Sequence, residues 1–340
     1  MATVINTQFS SLCLTADLPD EVEVESLTPQ VTVSISVGDK EVFSSVYYVF
    51  GLKVYVRDIR SIVESAMLQN NLSIAKFVLT VKDYENFEYT PGDIWVVYST
   101  MKSPAGSEAF LLKNFLSTRK SALISHSCPF TLYAYAYQNS EKSNFYDIYY
   151  SPSYASENTT KYTSIVGITK PESPAITSFQ ANYSFFQQLL SKRGISSAII
   201  RRVSFHFANC EFNIYFTPNA PSDTFQFRNC FNLMESACIF GATTTKTEVD
   251  RSEAVCGRKI SYYDEQLKVH HEVETAPLTL AEAQHLTQLL TSREITREVT
   301  PGIFAPVLIT DISSEVSNNN ANPIRMKFTW TYADQTEYLL

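Results

Sequence analysis

Histidine and cysteine are the first side chains to search for chemistry, because they ligate metals and react near neutral pH. The chain carries five His and six Cys. His206 and Cys210 are four apart, and His126 and Cys128 are two apart. Neither pair has the second pair that a zinc site needs. Both sit in strand-like runs, which favours core packing over metal binding. His270 and His271 are adjacent in a long strand run, so they point to opposite faces and cannot chelate one ion together. Glu282-x-x-His285 resembles one arm of a di-iron helix motif. That site needs several such arms on facing helices, and this sequence offers one. No cofactor or metal is expected.

Nucleophile elbows, Walker loops and dinucleotide fingerprints do not occur. Carboxylate pairs such as Asp83 and Glu85 read as a solvated strand face. Asp311 follows a strand and has no evident acid–base partner. A glycosidase with two carboxylates distant in sequence is a further alternative, since that chemistry needs no local motif. The expectation is a protein that is not an enzyme.

The tyrosines offer another kind of site. Tyr133, Tyr135 and Tyr137 alternate along one strand, with Tyr146 and Tyr149 following. Such a row can stack sugar rings or receive a partner. Alternating Ala134 and Ala136 favour the blander reading of tight packing on both faces. These five tyrosines are the candidate interaction surface. The functional alternative they support is a carbohydrate-binding or adhesive β-sandwich module.

The elements that position these residues are mostly strands. Residues 1–30 are polar and acidic and read as an extended arm with at most a short strand. Val31 to Val37 alternates apolar and polar residues at period 2, a half-buried strand. Val42 to Val56 reads as one bent strand or two, broken at Gly51. A helix is expected near 58–69, with Ile59, Ile62, Val63, Ala66 and Met67 in one stripe and Asp58 as N-cap. Ile74 to Val81 and Ile94 to Tyr98 return to strand character. Phe110 to Leu116 fits strand or helix. Lys170 to Pro174 holds two prolines and reads as a linker. Phe179 to Arg193 has mixed periodicity, with Gly194 as a C-cap if it is helical. Lys259 to Val273 is a long strand run. A second helix is expected near 279–292, opened by a capping box in Thr279 and Glu282.

The fold expected from these elements is mainly β, of α+β type. It has two β-sandwich or barrel domains, each flanked by one helix. The first spans 31–170 and the second 196–340, with 171–195 between them.

Bulk composition agrees with this reading. The chain has 340 residues, 44% of them hydrophobic and 18% charged, so a large core is affordable. The 22 Phe and 20 Tyr favour pleated surfaces. Only nine residues are Gly, about a third of average usage, which leaves little supply for phosphate-cradling loops. The net charge is −8, with basic residues scattered. No basic face is available for nucleic acid, and direct nucleic-acid binding is not expected. No stretch approaches the roughly 20 apolar residues of a membrane span. Met1 to Ala16 lacks the features of a signal peptide. The scattered cysteines read as free thiols in a reducing compartment.

Four stretches together resemble virion structural proteins of tailed phages and prophages, of the tail or baseplate kind. They are Val54 to Phe77, Phe110 to Arg119, Phe227 to Gly241, and Leu280 to Ser292 with Pro306 to Asp311 and Phe328 to Asp334. The resemblance implies a distal-tail or tail-hub-like subunit with a tail-tube-like β-sandwich plan. It implies a ring-like homo-oligomer that also contacts other tail or baseplate proteins. It places the protein in the virion tail, after assembly in the host cytoplasm. It carries over no functional residue.

Overall fold

A computed structural model describes residues 3–136, 144–153, 156, 158–166, 171–207, 209–313 and 323–334. The chain is mainly β, built on multi-stranded sheets with a few helices packed on them.

The first body contains β1 (Val4–Ile5), β2 (Leu12–Leu14), β3 (Val22–Glu25), β4 (Gln30–Val37), β5 (Lys40–Tyr48), β6 (Lys53–Val56), α1 (Ile59–Gln69), β7 (Ile74–Asp83), β8 (Glu88–Tyr89) and β9 (Ile94–Val97). β4 and β7 alternate buried and half-buried residues along their whole length, as their period-2 sequences require. They pair antiparallel with Val33 opposite Val81. The larger sheet runs β2-β9-β7-β4-β5, and a small sheet β1-β3-β6 packs on the same core. The run from Val42 to Val56 is two strands, because Gly51 and Leu52 both take positive φ and turn the chain. Helix α1 buries Ile59, Val63, Ala66 and Met67 in this core. Asp58 does occupy the N-cap position, but it does not cap with its side chain. Its φ of 62° is left-handed, not the extended backbone of a side-chain cap. The helix ends where Asn71 takes φ 55° and Leu72 N–H returns to Met67 O at 2.8 Å.

Residues 3–30 are not a free arm. Leu12, Leu14, Val22 and Val24 are buried strand residues. The acidic residues of this stretch alternate with them and face solvent, which gives the segment its polar look.

The second body contains α2 (Ser107–Leu111), β10 (Ser121–Ser125), β11 (Thr131–Tyr135), β12 (Asn144–Ser151), β13 (Thr160–Val166), β14 (Ile176–Gln180), α3 (Tyr183–Ser191), β15 (Ile199–Phe207) and β16 (Cys210–Thr217). Its main sheet runs β10-β16-β15-β12-β13, and β11 pairs separately with β14. β12 lies antiparallel to β15 with Ile148 opposite Val203, and β10 lies parallel to β16 with Ala122 opposite Ile214. Strands from both sides of the expected linker therefore share one sheet. Pro171 and Pro174 interrupt the ladder locally, but the chain then supplies β14 and α3 to the same core. Phe115 sits at its centre, edge-on to Phe205 at 5.7 Å and Phe212 at 6.0 Å. Gly194, at φ +76°, lets the chain leave α3.

The third body contains β17 (Asp223–Arg228), β18 (Met234–Ile239), β19 (Gly241–Cys256), β20 (Lys259–Thr275), α4 (Leu280–Leu290), β21 (Ile295–Thr300), β22 (Ile303–Ile312) and β23 (Lys327–Tyr332). One sheet runs β18-β17-β21-β22-β23-β20-β19. Helix α4 lays Ala283, Leu286, Leu289 and Leu290 on it, against Phe225, Phe227 and Trp330. Its capping box forms as the sequence predicts: Glu282 N–H donates to Thr279 Oγ1 at 3.3 Å, and Thr279 N–H donates to Glu282 Oε2 at 2.8 Å. The described residues thus form three helix-bearing β units, where the sequence suggested two.

The three units meet on a shared apolar junction. It takes Leu12, Leu14 and Val97 from the first, Leu111, Leu116 and Tyr135 from the second, and Cys230, Phe231 and Leu233 from the third.

Candidate functional site: an uncovered ribbon

The structure places two of the row's tyrosines, Tyr135 and Tyr146, in the core and leaves Tyr133 and Tyr149 half-buried. Tyr135 is only 2% exposed and packs in the junction. Tyr133 is half-buried, and its hydroxyl donates to Met234 O at 3.0 Å. Tyr146 is buried edge-on to Phe205 at 4.4 Å and Phe186 at 5.2 Å, and burial pushes its phenol up to about 12. Tyr149 lies under the Arg202 guanidinium at 4.1 Å. Tyr137 lies outside the described residues. Strand β11 packs on both faces, with Leu132 and Ala134 in the second core and Tyr133 and Tyr135 at the junction. Alternation along a strand marks two faces; here one is buried and the other, with Thr131 and Tyr133, is partly exposed.

The histidines are likewise structural. His126 stacks on Tyr183 at 3.7 Å, His206 on Phe145 at 4.4 Å, and His271 on Trp330 at 3.9 Å. Among the described residues, no three His, Cys, Asp or Glu side chains gather at ligand distance. Among them, too, no helix is long and apolar enough to cross a membrane.

His285 belongs to a buried polar cluster between the second and third units. Its Nε2 is 3.5 Å from Glu235 Oε1, and Arg119 Nη2 is 3.4 Å from the same oxygen. Ser117 donates to that oxygen at 3.1 Å, and Asn229 Nδ2 donates to Glu235 Oε2 at 3.1 Å. Burial lowers the imidazole to about 4, and the Arg119 charge pushes the same way against Glu235. Glu235 is already matched by Arg119, so its pull on His285 is the weaker effect. Asn229 also accepts from Phe231 N–H at 2.9 Å and Leu233 N–H at 3.1 Å, which shapes the 229–233 turn of the junction. The stretch Phe227 to Gly241 is therefore joinery between units.

The exposed feature is the β19–β20 ribbon. Its strands have 16 and 17 residues and pair from Gly241–Thr275 out to Cys256–Lys259. A two-residue turn closes it, with Gly257 at its first central position and φ +65°. β23 pairs with β20 only from His271 to Glu274. Beyond that, the ladder holds two strands alone, over a length of roughly 36–40 Å at about 3.3 Å per residue.

The two faces of this ribbon differ. Directly opposed residues share a face in an antiparallel pair. One face carries Glu248 opposite Lys268, Asp250 opposite Gln266 and Ser252 opposite Asp264. The other carries Val249 opposite Leu267, Glu253 opposite Tyr262 and Val255 opposite Ile260, with Arg251 and Glu265 bridged at 2.9 Å between them. This apolar row continues outward from the core, through Val273 and His271 at the ribbon root. At its outer end none of the described residues covers it: Val249 is 45%, Leu267 53%, Tyr262 56%, Ile260 65% and Val255 73% exposed.

The root is firmly held. Asp223 is buried, bonds Arg297 Nε at 2.6 Å and accepts from the Thr243 hydroxyl of β19. Arg297 also donates to Tyr332 at 2.7 Å. Gly241 admits β20 at close range, since an added Cβ would lie 2.1 Å from Glu274 O. The sequence reading found β20 but not its partner, because Gly241 to Cys256 is mostly Thr and charged residues. The signal was Gly257, set between two runs of nearly equal length.

No family model matches the chain, and no curated protein matches it. Among solved structures, one resembling this chain is the full extracellular region of plexin A4, at 9% identity and TM-score 0.23; it covers 99% of this chain. This chain spans only 37% of that plexin chain's length. A second is the fibronectin(III)-like modules of CbhA from Clostridium thermocellum, at 7% identity and TM-score 0.18, covering 64% of this chain and 94% of theirs. A third is CBD12 from CALX1.2, at 8% identity and TM-score 0.20, covering 61% of this chain and 79% of its own. Similarity at these scores carries no argument about what the present chain does.

Proposed function

We propose that this chain is a non-enzymatic structural subunit of a phage tail or baseplate. In this reading it assembles with copies of itself and with other tail proteins. The observation that carries the reading is the uncovered apolar face of the ribbon. An isolated two-stranded hairpin is marginal in water, and exposed apolar side chains gathered on one face of it, here on either side of the Arg251–Glu265 ion pair, favour an interface. The tail resemblance of the four sequence stretches supports the class of assembly.

Magnitudes favour a repeated contact over a single one. Covering each large apolar side chain returns roughly 1.5–3 kcal/mol. Association itself costs about 4–15 kcal/mol. One ribbon contact is then weak, whereas a closed ring that repeats it holds together. Ring closure also shelters strand edges that otherwise invite uncontrolled pairing. Of the five tyrosines behind the carbohydrate-binding alternative, Tyr135 and Tyr146 are core and Tyr133 and Tyr149 are half-buried, so that reading has less support than the assembly reading.

The test is genetic and structural together. Deleting the gene from an inducible prophage should leave particles without finished tails. The wild-type gene should restore them, and V249E/L267E should not. Normal tails on particles lacking the protein would overturn the reading.

A further inference from the structure

A cleft of about 890 Å³ opens where the three units meet. On its apolar wall, Phe110 stacks on Phe231 at 5.7 Å with an interplanar angle of 22°. Its polar lining inverts the character of the chain. The whole protein carries −8, yet Lys102, Lys113, Arg119 and Lys120 line this cleft against a single carboxylate, Glu211. The three lysines are exposed, and none makes an ion pair among the described residues. Two polar atoms buried at its wall, Arg119 Nε and Gln288 Oε1, have no hydrogen-bond partner among the described residues. The Arg119 side chain is only 8% exposed.

We propose that this cleft binds an acidic peptide segment of an assembly partner, with an apolar side chain seated against the Phe110–Phe231 wall. Charge complementarity selects an anion. Size fits a short segment, since ligand sites commonly enclose about 300–1,000 Å³. The neutral lining favours a peptide over a phosphate compound. Gln284, Gln288 and Thr118 each donate and accept, which suits the alternating N–H and C=O groups of a backbone. Phosphate recognition favours a free guanidinium fork, and Arg119, the one guanidinium here, is already engaged by Glu235 and by Ser236 O at 3.3 Å. A bound segment touches all three units and braces their junction. The proposal does not depend on the tail reading, because it rests on the cleft alone.

The test is a displayed random-peptide library panned on the full chain, followed by fluorescence anisotropy with the enriched peptides. Enriched sequences should combine Asp or Glu with an aromatic or aliphatic residue. Their affinity should fall about tenfold or more on K113E/K120E, a loss of roughly 1.4 kcal/mol or more. It should also weaken as salt rises. Both lysines are exposed, so an unchanged thermal melt confirms that the variant folds. Enrichment of peptides without acidic residues, no enrichment over a blank surface, or equal binding by K113E/K120E would each overturn the proposal. So would full displacement by inorganic pyrophosphate at the concentrations that displace unlabelled peptide, because the site would then read charge alone.

Discussion

Val249 and Leu267 stand directly opposite each other on the β19–β20 ribbon, on the same face, and both are about half exposed. They are the innermost exposed members of an apolar row that begins in the core at Val273. In the assembly proposed above, this exposed apolar face is the contact surface.

Thiol accessibility gives a simple probe of the ribbon. Cys256 at its tip is exposed, Cys238 is half-buried, and the other four cysteines are buried. Burial also pushes the thiols of Cys13, Cys210 and Cys230 up to about 12, which leaves them protonated and unreactive. A maleimide should therefore modify Cys256 first, as read by peptide mass mapping. In the assembled particle the same thiol should be protected. Equal labelling of all six in the native protein would contradict the described burial.

Gly241 marks the ribbon root as a tight joint. Gly241→Val places a side chain against Glu274 O and should destabilise the fold by on the order of 1–3 kcal/mol, an overpacking cost. Urea denaturation read by circular dichroism measures it. An unchanged midpoint would mean that β20 does not approach as closely as described.

Tyr135→Ala separates a core residue from a binding residue. Removing a large side chain that is 2% exposed should cost on the order of 3–5 kcal/mol. A variant of unchanged stability that instead loses affinity for a glycan would restore the carbohydrate reading.

His285 sets a pH dependence whose sign is fixed. Its folded value is about 4, below the ordinary 6.5, because burial and then Arg119 disfavour the imidazolium. Between those values the unfolded chain binds a proton that the folded chain does not. Stability is therefore full above about pH 6.5 and falls as pH drops towards 4. The loss from this one group is at most on the order of 3 kcal/mol. Other groups around the cluster, Glu235, Arg119, Cys238 and Glu282, stay the same in His285→Leu. Comparing urea midpoints at pH 7 and pH 5 should show a smaller fall for that variant than for wild type. Parallel falls would remove His285 as the cause.

Local signals were legible in the sequence. Thr279 and Glu282 specify the start of α4 because a capping box is a contact three residues long. β4 and β7 show their buried face because each alternates along its full length. Non-local pairing was not legible. β12 meets β15 across some fifty residues, and nothing near Pro171 and Pro174 reveals that the chain returns to the same sheet. The tyrosines mislead for a related reason. Alternation tells which residues share a face, but cover depends on what packs there, and at Tyr135 that is Phe231 and its neighbours in the third unit. The ribbon inverts the problem. Its sequence shows β20 but hides the Thr-rich and charged β19, and only the structure shows that no third element among the described residues covers its outer part.

Sedimentation of the full chain over a concentration series, wild type against V249E/L267E, tests the central claim most directly. Both residues are surface positions, so the variant should keep the wild-type melt. The account predicts concentration-dependent oligomers for wild type and a monomer for the variant. A wild type that stays monomeric at every concentration, or a variant that assembles equally well, would contradict it.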